Sequence, residues 1–380
     1  MKKLLFFAFV ALGMLACTEQ NTPSNEDVNQ GGSTNQKEIS CDPTLIEFDI
    51  SQDYSQVVTL TASSEWSATT NADWISIEPL SGQGDAFVKL SMKGGKISEG
   101  KVIFSTGKAS AQVIVKCIDK YEGSFSVSST KKVFFSKGNL QYQASTQTWR
   151  FAEHQYDIIG DANKNISSSY GDWIDLFGWG TSGYQGLYPY SSSIYSSTYN
   201  NNKNDIAGTN YDWGVYDIIS NGENQAGLWR TLTKEEWLYV LKRRTNASSL
   251  FGLAKVNGTC GYVLLPDGWK VPEGITWNGG WSYYYSNNQY SSSQWAKMEK
   301  AGAIFLPTCG IRIGTNWKES DSFYWSSSFD RENADSSSAA IEHSYFTAWC
   351  VYVQNLSDSF SINATRCCNG CAVRLVKDVE

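Results

Sequence analysis

Three cysteines lie close together near the carboxyl end of the chain, at Cys367, Cys368 and Cys371. Their thiolates could bind zinc together with His343, or one thiol could act as a nucleophile. The usual structural zinc motifs join a C-x-x-C pair to a second pair of ligands, and the sequence has no such partner pair. No residue pattern around the thiols supports a nucleophile either. The sequence therefore predicts no bound metal, no other cofactor and no catalytic residue.

The elements around these cysteines follow from hydrophobic periodicity. A closing strand is predicted after them, with Val373 and Leu375 on one face. The clearest helix is in LWRTLTKEEWLYVLKRR, where Thr233 and Glu236 form a capping box before an apolar stripe. A second helix is predicted over Ser293 to Ala301.

The amino-terminal segment has the composition of an export signal. Two lysines precede an apolar run, Leu4 to Ala16, which is too short to span a bilayer as a mature helix. The run ends in Met-Leu-Ala-Cys, which resembles a bacterial lipoprotein processing box. Residues 1–16 are therefore interpreted as a lipoprotein signal peptide and Cys17 as the lipidated residue; a plain secretory signal with an incidental cysteine is the alternative. Residues 17–38 are polar and are predicted to form a flexible tether.

The composition restricts the partners. The chain has 31 Lys and Arg against 38 Asp and Glu, a net charge of −7. Such a chain is poorly suited to phosphate backbones, so nucleic acid is not an expected partner. We expect a monomer that contacts the membrane through a lipid anchor only, at the outer membrane on its periplasmic or cell-surface face.

Residues 39–118 show short alternating runs separated by turn residues, which predict an all-β sandwich. Trp66, Trp74 and the residues that follow them (Ile75, Ile77, Pro79, Gly82 and Gly84) resemble the BACON domain, an immunoglobulin-like module of exported Bacteroidetes proteins. That resemblance implies either carbohydrate binding or a spacer. We expect the two tryptophans to fill the core. Cys41 and Cys117 fall on the first and last strands, where a disulfide is a candidate.

Residues 122–378 carry a second resemblance. They contain, in this order, the runs FSKGNLQY, WRFAE, LFGWGTSG, WRTLTKEEW, AGAIFLPTCGIR, YWSSS and VRLV. These runs resemble the Fibrobacter succinogenes major paralogous group, which is related to the formylglycine-generating-enzyme branch of the C-type-lectin fold. The resemblance implies a multidomain fold class: an all-β immunoglobulin-like sandwich followed by an α+β C-type-lectin-like (sulfatase-modifying-factor-like) domain.

The closing segment also resembles the targets of diversity-generating retroelements, in which surface positions of a C-type-lectin scaffold are exchanged. In that interpretation the three cysteines need no partner, because they are interchangeable surface residues that contact a ligand. The alternative is that these positions are not diversified, because members of the family that are not diversified have similar closing segments. The candidate ligand-binding positions in this part of the chain are Phe329, Asp330, His343, Tyr345, Phe346, Tyr352, Asn355, Cys367, Cys368, Asn369 and Cys371.

Aromatic loops give a further candidate surface. The run WNGGWSYYYSNNQYSSSQW combines rigid aromatic contact area with adaptable polar residues, as binding loops do. Its candidate ligand-binding residues are Trp281, Tyr283, Tyr284 and Tyr285. We therefore predict a cell-surface lipoprotein that binds a glycan or a surface protein through a lectin-like head. The alternative is an enzyme, or an enzyme-like protein, of the formylglycine-generating branch.

Overall fold

A computed structural model describes nine ranges of the chain: 38–49, 55–92, 97–119, 122–199, 203–280, 285–319, 321–331, 346–353 and 360–379. The chain divides into two compact units after Ile118. The proposed signal peptide, Cys17 and most of the proposed tether lie outside the described residues.

The described part of the first unit is a two-sheet β-sandwich. Its strands are β1 (Ile39–Asp42), β2 (Leu45–Asp49), β3 (Ser55–Ala62), β4 (Glu65–Thr70), β5 (Ile75–Glu78), β6 (Ser81–Gln83), β7 (Ala86–Met92), β8 (Ser98–Ser105) and β9 (Ser110–Ile118). One sheet has the order β1-β3-β7-β5 and the other β2-β9-β8-β4-β6. Buried and exposed residues alternate along β3, β4 and β8, as expected for strands with one face against a core.

The core of this sandwich contains Trp66. Only 3% of its surface is exposed. Its ring packs edge-on against Phe104 with 6.0 Å between the ring centroids, and its indole nitrogen donates a hydrogen bond to the carbonyl of Gly84 at 3.0 Å. Trp74 is partly buried and packs against the same core. The prediction that Trp66 fills the core is confirmed.

The candidate disulfide between Cys41 and Cys117 is not formed. Cys41 lies opposite Leu60 in one sheet, whereas Cys117 lies opposite Phe48 in the other. The thiol of Cys41 donates to the backbone carbonyl of Gln112 at 3.3 Å. Gln112 precedes Cys117 by five residues on β9, which at the rise of a strand corresponds to roughly 16 Å. That separation is too large for a disulfide.

The second unit combines short sheets with a few helical turns. Its strands in the described ranges are β10 (Phe125–Ser126), β11 (Lys132–Phe135), β12 (Leu140–Gln143), β13 (Thr148–Phe151), β14 (Trp173–Ile174), β15 (Arg230–Thr231), β16 (Phe251–Val256), β17 (Thr259–Leu264), β18 (Gln289–Tyr290), β19 (Ile304–Pro307), β20 (Ile311–Ile313), β21 (Asn316–Lys318), β22 (Ser322–Phe329), β23 (Thr347–Val353), β24 (Phe360–Arg366), β25 (Asn369–Gly370) and β26 (Leu375–Asp378). Their sheets have the orders β10-β11-β26-β15, β13-β12-β14, β18-β16-β17-β19, β21-β20-β25 and β22-β23-β24. Because β11 pairs with β26, the two ends of the unit lie side by side.

The helices begin at capping boxes. The described helices are α1 (Trp213–Tyr216), α2 (Lys234–Leu238) and α3 (Ser292–Lys300), and α2 continues as a π-helical turn over Tyr239–Arg243. At the start of α2, Thr233 accepts a hydrogen bond from the backbone of Glu236, whose side chain accepts one in return. Ser291 and Gln294 do the same for α3. Both predicted helices are therefore confirmed, the second within one residue at each end.

Two arginines lie wholly inside the second unit. Arg374 donates to Oδ1 of Asn139 at 3.1 Å and to the carbonyl oxygens of Ser136 and Phe305 at 3.1 and 2.6 Å. Arg312 is likewise fully buried, and it donates to backbone carbonyls. Burial lowers the pKa of Arg374 to about 10, so it stays charged at neutral pH. These arginines link segments of the chain that are distant in sequence.

Candidate functional site

A groove of about 710 Å³ opens on the surface of the second unit. Its walls come from three places: the loop between β10 and β11, the turn after α2, and the loop that follows β17. Trp269, Trp277 and Tyr239 give it aromatic walls, and several serines border it. We call it the tryptophan groove after Trp269 and Trp277. Its volume and mixed lining are those of a site for a small molecule or a short oligomer.

Both tryptophans are partly exposed and pack against the same hydrophobic cluster. Trp277 donates from its indole nitrogen to the carbonyl of Ser249 at 3.3 Å, and its ring covers Gly252, where an added Cβ would come within 3.0 Å of it. The indole nitrogen of Trp269 is buried and has no hydrogen-bond partner among the described residues. Trp269 therefore offers the groove ring carbons rather than its N–H group. Flat apolar faces of this kind suit stacking on a sugar ring.

The base of the groove is an ionic cluster around Asp267. Its carboxylate accepts hydrogen bonds from the backbone and hydroxyl of Ser126 at 3.0 and 2.5 Å. Lys132 and Arg244 pair with it at 3.0 and 3.2 Å. Burial raises the pKa of Asp267, but these hydrogen bonds and positive charges outweigh it, and the pKa is lowered. Asp267 is thus a fixed, ionised structural group and a poor general acid or base.

Local backbone geometry sets the position of Arg244. Its amide donates to the carbonyl of Tyr239 at 3.0 Å and closes the π-helical turn, while its Nε donates to the carbonyl of Val240 at 2.7 Å. Turns of this type recur at functional sites. On the opposite wall, Gly268 has a φ of +66°, which glycine adopts without strain. This glycine allows the tight turn that separates Asp267 from Trp269.

The three closing cysteines lie in the core. Cys367, Cys368 and Cys371 are 0%, 3% and 0% exposed. The backbone of this segment is also paired: Phe177 and Cys371 exchange two hydrogen bonds, and the amide of Trp179 donates to Cys367. The prediction that these thiols occupy exchangeable surface positions is wrong, because both their side chains and their backbone are enclosed by the segment containing Phe177 and Trp179.

Burial also makes the thiols of this region unreactive. It raises the pKa of Cys367, Cys371 and Cys350 well above the ordinary value, and that of Cys309 to about 12. A thiol that stays protonated at neutral pH is a poor nucleophile and a poor metal ligand. Within the described ranges, no three His, Cys, Asp or Glu side chains are grouped so that they could hold a metal ion.

The other predicted positions near the carboxyl end divide by exposure. Phe329 and Asp330 are buried, at 2% and 0%, so the prediction that they contact a ligand is wrong. Phe329 packs against Trp179, and Asp330 accepts a hydrogen bond from Thr347. The three that remain partly exposed are Phe346, Tyr352 and Asn369.

These three do not form one site with the groove residues. The ring of Phe346 lies near Lys203, the hydroxyl of Tyr352 donates to Asp321, and the amide of Asn369 donates to Thr365 at 2.8 Å. Tyr285 is partly buried, its hydroxyl has no partner among the described residues, and burial raises its pKa. The candidates that lie outside the described residues are His343, Tyr345, Asn355, Trp281, Tyr283 and Tyr284.

The sequence interpretation missed most of the groove. Trp277 opens the aromatic run that predicts a binding loop, but Tyr239, Asp267 and Trp269 are not among the residues that the sequence predicts to contact a ligand. A usable signal was present in Pro266-Asp267-Gly268, a turn-forming sequence directly before a tryptophan. An aromatic residue on such a turn is a candidate for exposure.

No family model and no curated protein matches the chain. Among solved structures, a Bacteroides ovatus GH5 xyloglucanase is 18% identical, with 23% of this chain and 20% of that chain covered and a TM-score of 0.21. This chain thus spans about a fifth of that enzyme.

Two smaller structures also share similarity with the chain. The Caenorhabditis elegans MSP-domain-like protein SSP-19 is 14% identical over 20% of this chain and 97% of its own, with a TM-score of 0.18. The D0-D1 domain of intimin is 14% identical over 31% of this chain and 65% of its own, with a TM-score of 0.19. Within the described residues, no helix has both the length and the apolar composition needed to cross a bilayer.

Proposed function

We propose that the protein binds glycans through the tryptophan groove. The observation that carries the proposal is the pair of partly exposed indole rings, Trp269 and Trp277, on the walls of a groove with a rigid ionic base. Sugar rings have apolar faces and hydroxyl edges, and the groove offers aromatic surface together with hydroxyl, amide and charged groups. Because Asp267 is fixed by its partners before a ligand arrives, little ordering is required on binding.

A binding role fits the chemistry of this unit better than catalysis does. The carboxylate at the groove is held ionised by Ser126, Lys132 and Arg244, and no second carboxylate lines the groove among the described residues. Glycoside hydrolysis normally needs two such groups. Burial raises the pKa of the thiols of Cys309, Cys350, Cys367 and Cys371, which does not favour a thiol-dependent enzyme.

The remaining parts of the chain have supporting roles in this proposal. The first unit would act as a spacer of the BACON type, since Trp66 is in its core and is not available to a ligand. The second unit would be a C-type-lectin-like head, which the pairing of β11 with β26 at its two ends supports. Cys17 would carry the lipid that attaches the protein to the outer membrane.

A glycan array with purified full-length protein tests the proposal. We expect saturable binding to a restricted set of glycans. In Trp269→Ala and Trp277→Ala the affinity for the best glycan should fall at least tenfold, because each change removes a stacking surface near the centre of the site.

The matched control is Tyr195→Ala. Tyr195 is 58% exposed but lies outside the groove, so its removal should leave binding unchanged. Thermal melting of all three variants separates lost binding from lost folding. The proposal would be overturned if no glycan bound, or if both tryptophan variants bound as well as the parent.

A further inference from the structure

The charges around the tryptophan groove are unequal. Among the described residues that line it, Lys132, Arg244 and Lys270 are cationic and Asp267 is anionic. Three positive charges against one negative charge leave a local net charge of +2. The whole chain has a net charge of −7, so this positive excess belongs to the groove and not to the protein surface in general.

The single negative charge is already compensated. Asp267 pairs with both Lys132 and Arg244, at 3.0 and 3.2 Å. Lys270 stands exposed on the groove and has no ion-pair partner in the described part of the chain. The charge of the exposed Lys270 therefore faces the space in which a ligand would lie.

Three acidic groups on neighbouring elements have their own partners. Glu236 and Asp378 both pair with Arg230, at 2.9 and 2.6 Å. Glu235 pairs with Arg243 at 2.7 Å. None of these carboxylates lines the groove, so they do not cancel its positive field.

The positive surface continues past the loop between β10 and β11. A second depression, of about 400 Å³, borders the same loop and shares Ser126, Ser128, Ser129 and Lys132 with the groove. It adds Lys131, which is exposed, and Asp378, which is paired with Arg230. A ligand longer than the groove would meet a further cation here.

We propose that the tryptophan groove selects acidic glycans, whose sugar rings carry carboxylate or sulfate groups. This inference rests on the proposed function and names its ligand class. Ring stacking on Trp269 and Trp277 would hold the sugar, and its anionic group would pair with Lys270. Such a pair discriminates against neutral glycans, because a neutral sugar leaves Lys270 without a counter-ion.

The array described above tests this when it includes neutral, uronate-bearing and sulfated glycans. We expect the glycans that bind to be mostly acidic. Whether they carry uronates or sulfates shows which anionic group the groove recognises. The best binder is then compared with its own carboxyl-reduced or desulfated form by titration calorimetry. Removing the charge should weaken binding at least tenfold, and raising NaCl from 50 to 500 mM should weaken binding of the acidic form only.

Lys270→Gln tests the role of the exposed cation. Its affinity for the acidic glycan should fall by about three- to tenfold, while its affinity for the neutral form stays unchanged. Lys108→Gln, an exposed lysine of the first unit, is the matched control. Equal binding of charged and neutral forms, with both weakened in Trp269→Ala, would overturn the charge preference and leave glycan binding intact. Absence of any glycan binding would overturn both.

Discussion

The guanidinium of Arg244 lies 3.2 Å from the carboxylate of Asp267, with 2% of the arginine side chain and 22% of the aspartate side chain exposed. Burial lowers the pKa of Arg244 to about 10, and the charge of Asp267 partly offsets this. The pair joins the turn after α2 to the loop after β17. It therefore fixes the distance between two walls of the tryptophan groove.

Replacing Asp267 by Asn should lower the free energy of unfolding at pH 7 by about 1–3 kcal/mol, because Arg244 would remain buried without a counter-ion. The lowered pKa of Asp267 gives the sign of the pH dependence. The stabilisation that ionised Asp267 provides is fully present above pH 3.8, which is the ordinary pKa of an aspartate. It is lost as the pH falls through the lower pKa that Asp267 has in the folded protein. Urea titrations of both proteins should therefore converge in acid.

The control for this substitution is Asp161→Asn. Asp161 pairs with Lys164 on the surface, where 63% of its side chain is exposed. Its loss should change stability by less than about 0.5 kcal/mol. Equal effects of the two substitutions would contradict a structural role for the pair in the groove.

Arg374→Met should destabilise the second unit by about 3 kcal/mol, since three buried acceptors would lose their donor. Those acceptors belong to Asn139, Ser136 and Phe305. Chemical denaturation measures the effect. Arg243→Met is the matched control, because Arg243 pairs with Glu235 on the surface with 53% of its side chain exposed, and it should be nearly neutral. If Arg374→Met left the free energy of unfolding unchanged, these contacts would not contribute to stability.

Asp217 should make stability fall as pH rises. Burial raises its pKa from 3.8 to about 8, and a hydrogen bond from Trp149 only partly opposes this. Between these two values the folded protein retains a proton that the unfolded chain releases, so the free energy of unfolding decreases with pH and levels off above pH 8. Burial also raises the pKa of Asp175 and Asp212 to about 6, so the slope below pH 6 is shared with them. In Asp217→Asn the slope between about pH 6 and 8 should disappear, and the free energy of unfolding of the variant should exceed that of the parent by about 1–3 kcal/mol at pH 8.

Thermal unfolding of Asp217→Asn at pH 4, 6 and 8 measures this slope. Asp172→Asn is a suitable control, because Asp172 is exposed and its replacement should leave the pH profile unchanged. A parent profile that stays flat from pH 6 to 8 would rule out a buried, protonated Asp217.

Thiol labelling should follow burial. Iodoacetamide at pH 8 should modify the partly exposed Cys41 and Cys260 in the native protein. The buried cysteines should react only after unfolding, because their thiols are both inaccessible and protonated: Cys309, Cys350, Cys367 and Cys371. Peptide mapping by mass spectrometry identifies the sites. Rapid native labelling of Cys367 or Cys371 would contradict their place in the core.

Two tyrosine substitutions in the closing segment should differ in effect. Cys371→Tyr forces a large ring into a site with 0% exposure and should cost at least about 3 kcal/mol or prevent folding. Asn369→Tyr, two residues away at a partly exposed position, should cost less than about 1 kcal/mol. Expression yield and melting temperature measure the effect of each substitution. Similar tolerance at the two positions would restore the hypothesis that this segment accepts exchange.

Local features of the sequence determined much of the fold. Thr233 and Glu236 predicted the start of α2, and the alternation of apolar residues predicted strands of the first unit such as β3 and β8. These features could be predicted because a capping box or a strand face depends on residues within a few positions of each other.

The tertiary structure alone decided the position of the closing cysteines and the composition of the groove. Cys367 and Cys371 are enclosed by Trp179 and Phe177, and Ser126 meets Asp267 across 141 positions of the chain. Sequence periodicity shows that one face of a strand is apolar, but not what covers the other face. That depends on how distant segments pack, and here packing buried the thiols and brought Asp267, Arg244 and two tryptophans to one surface.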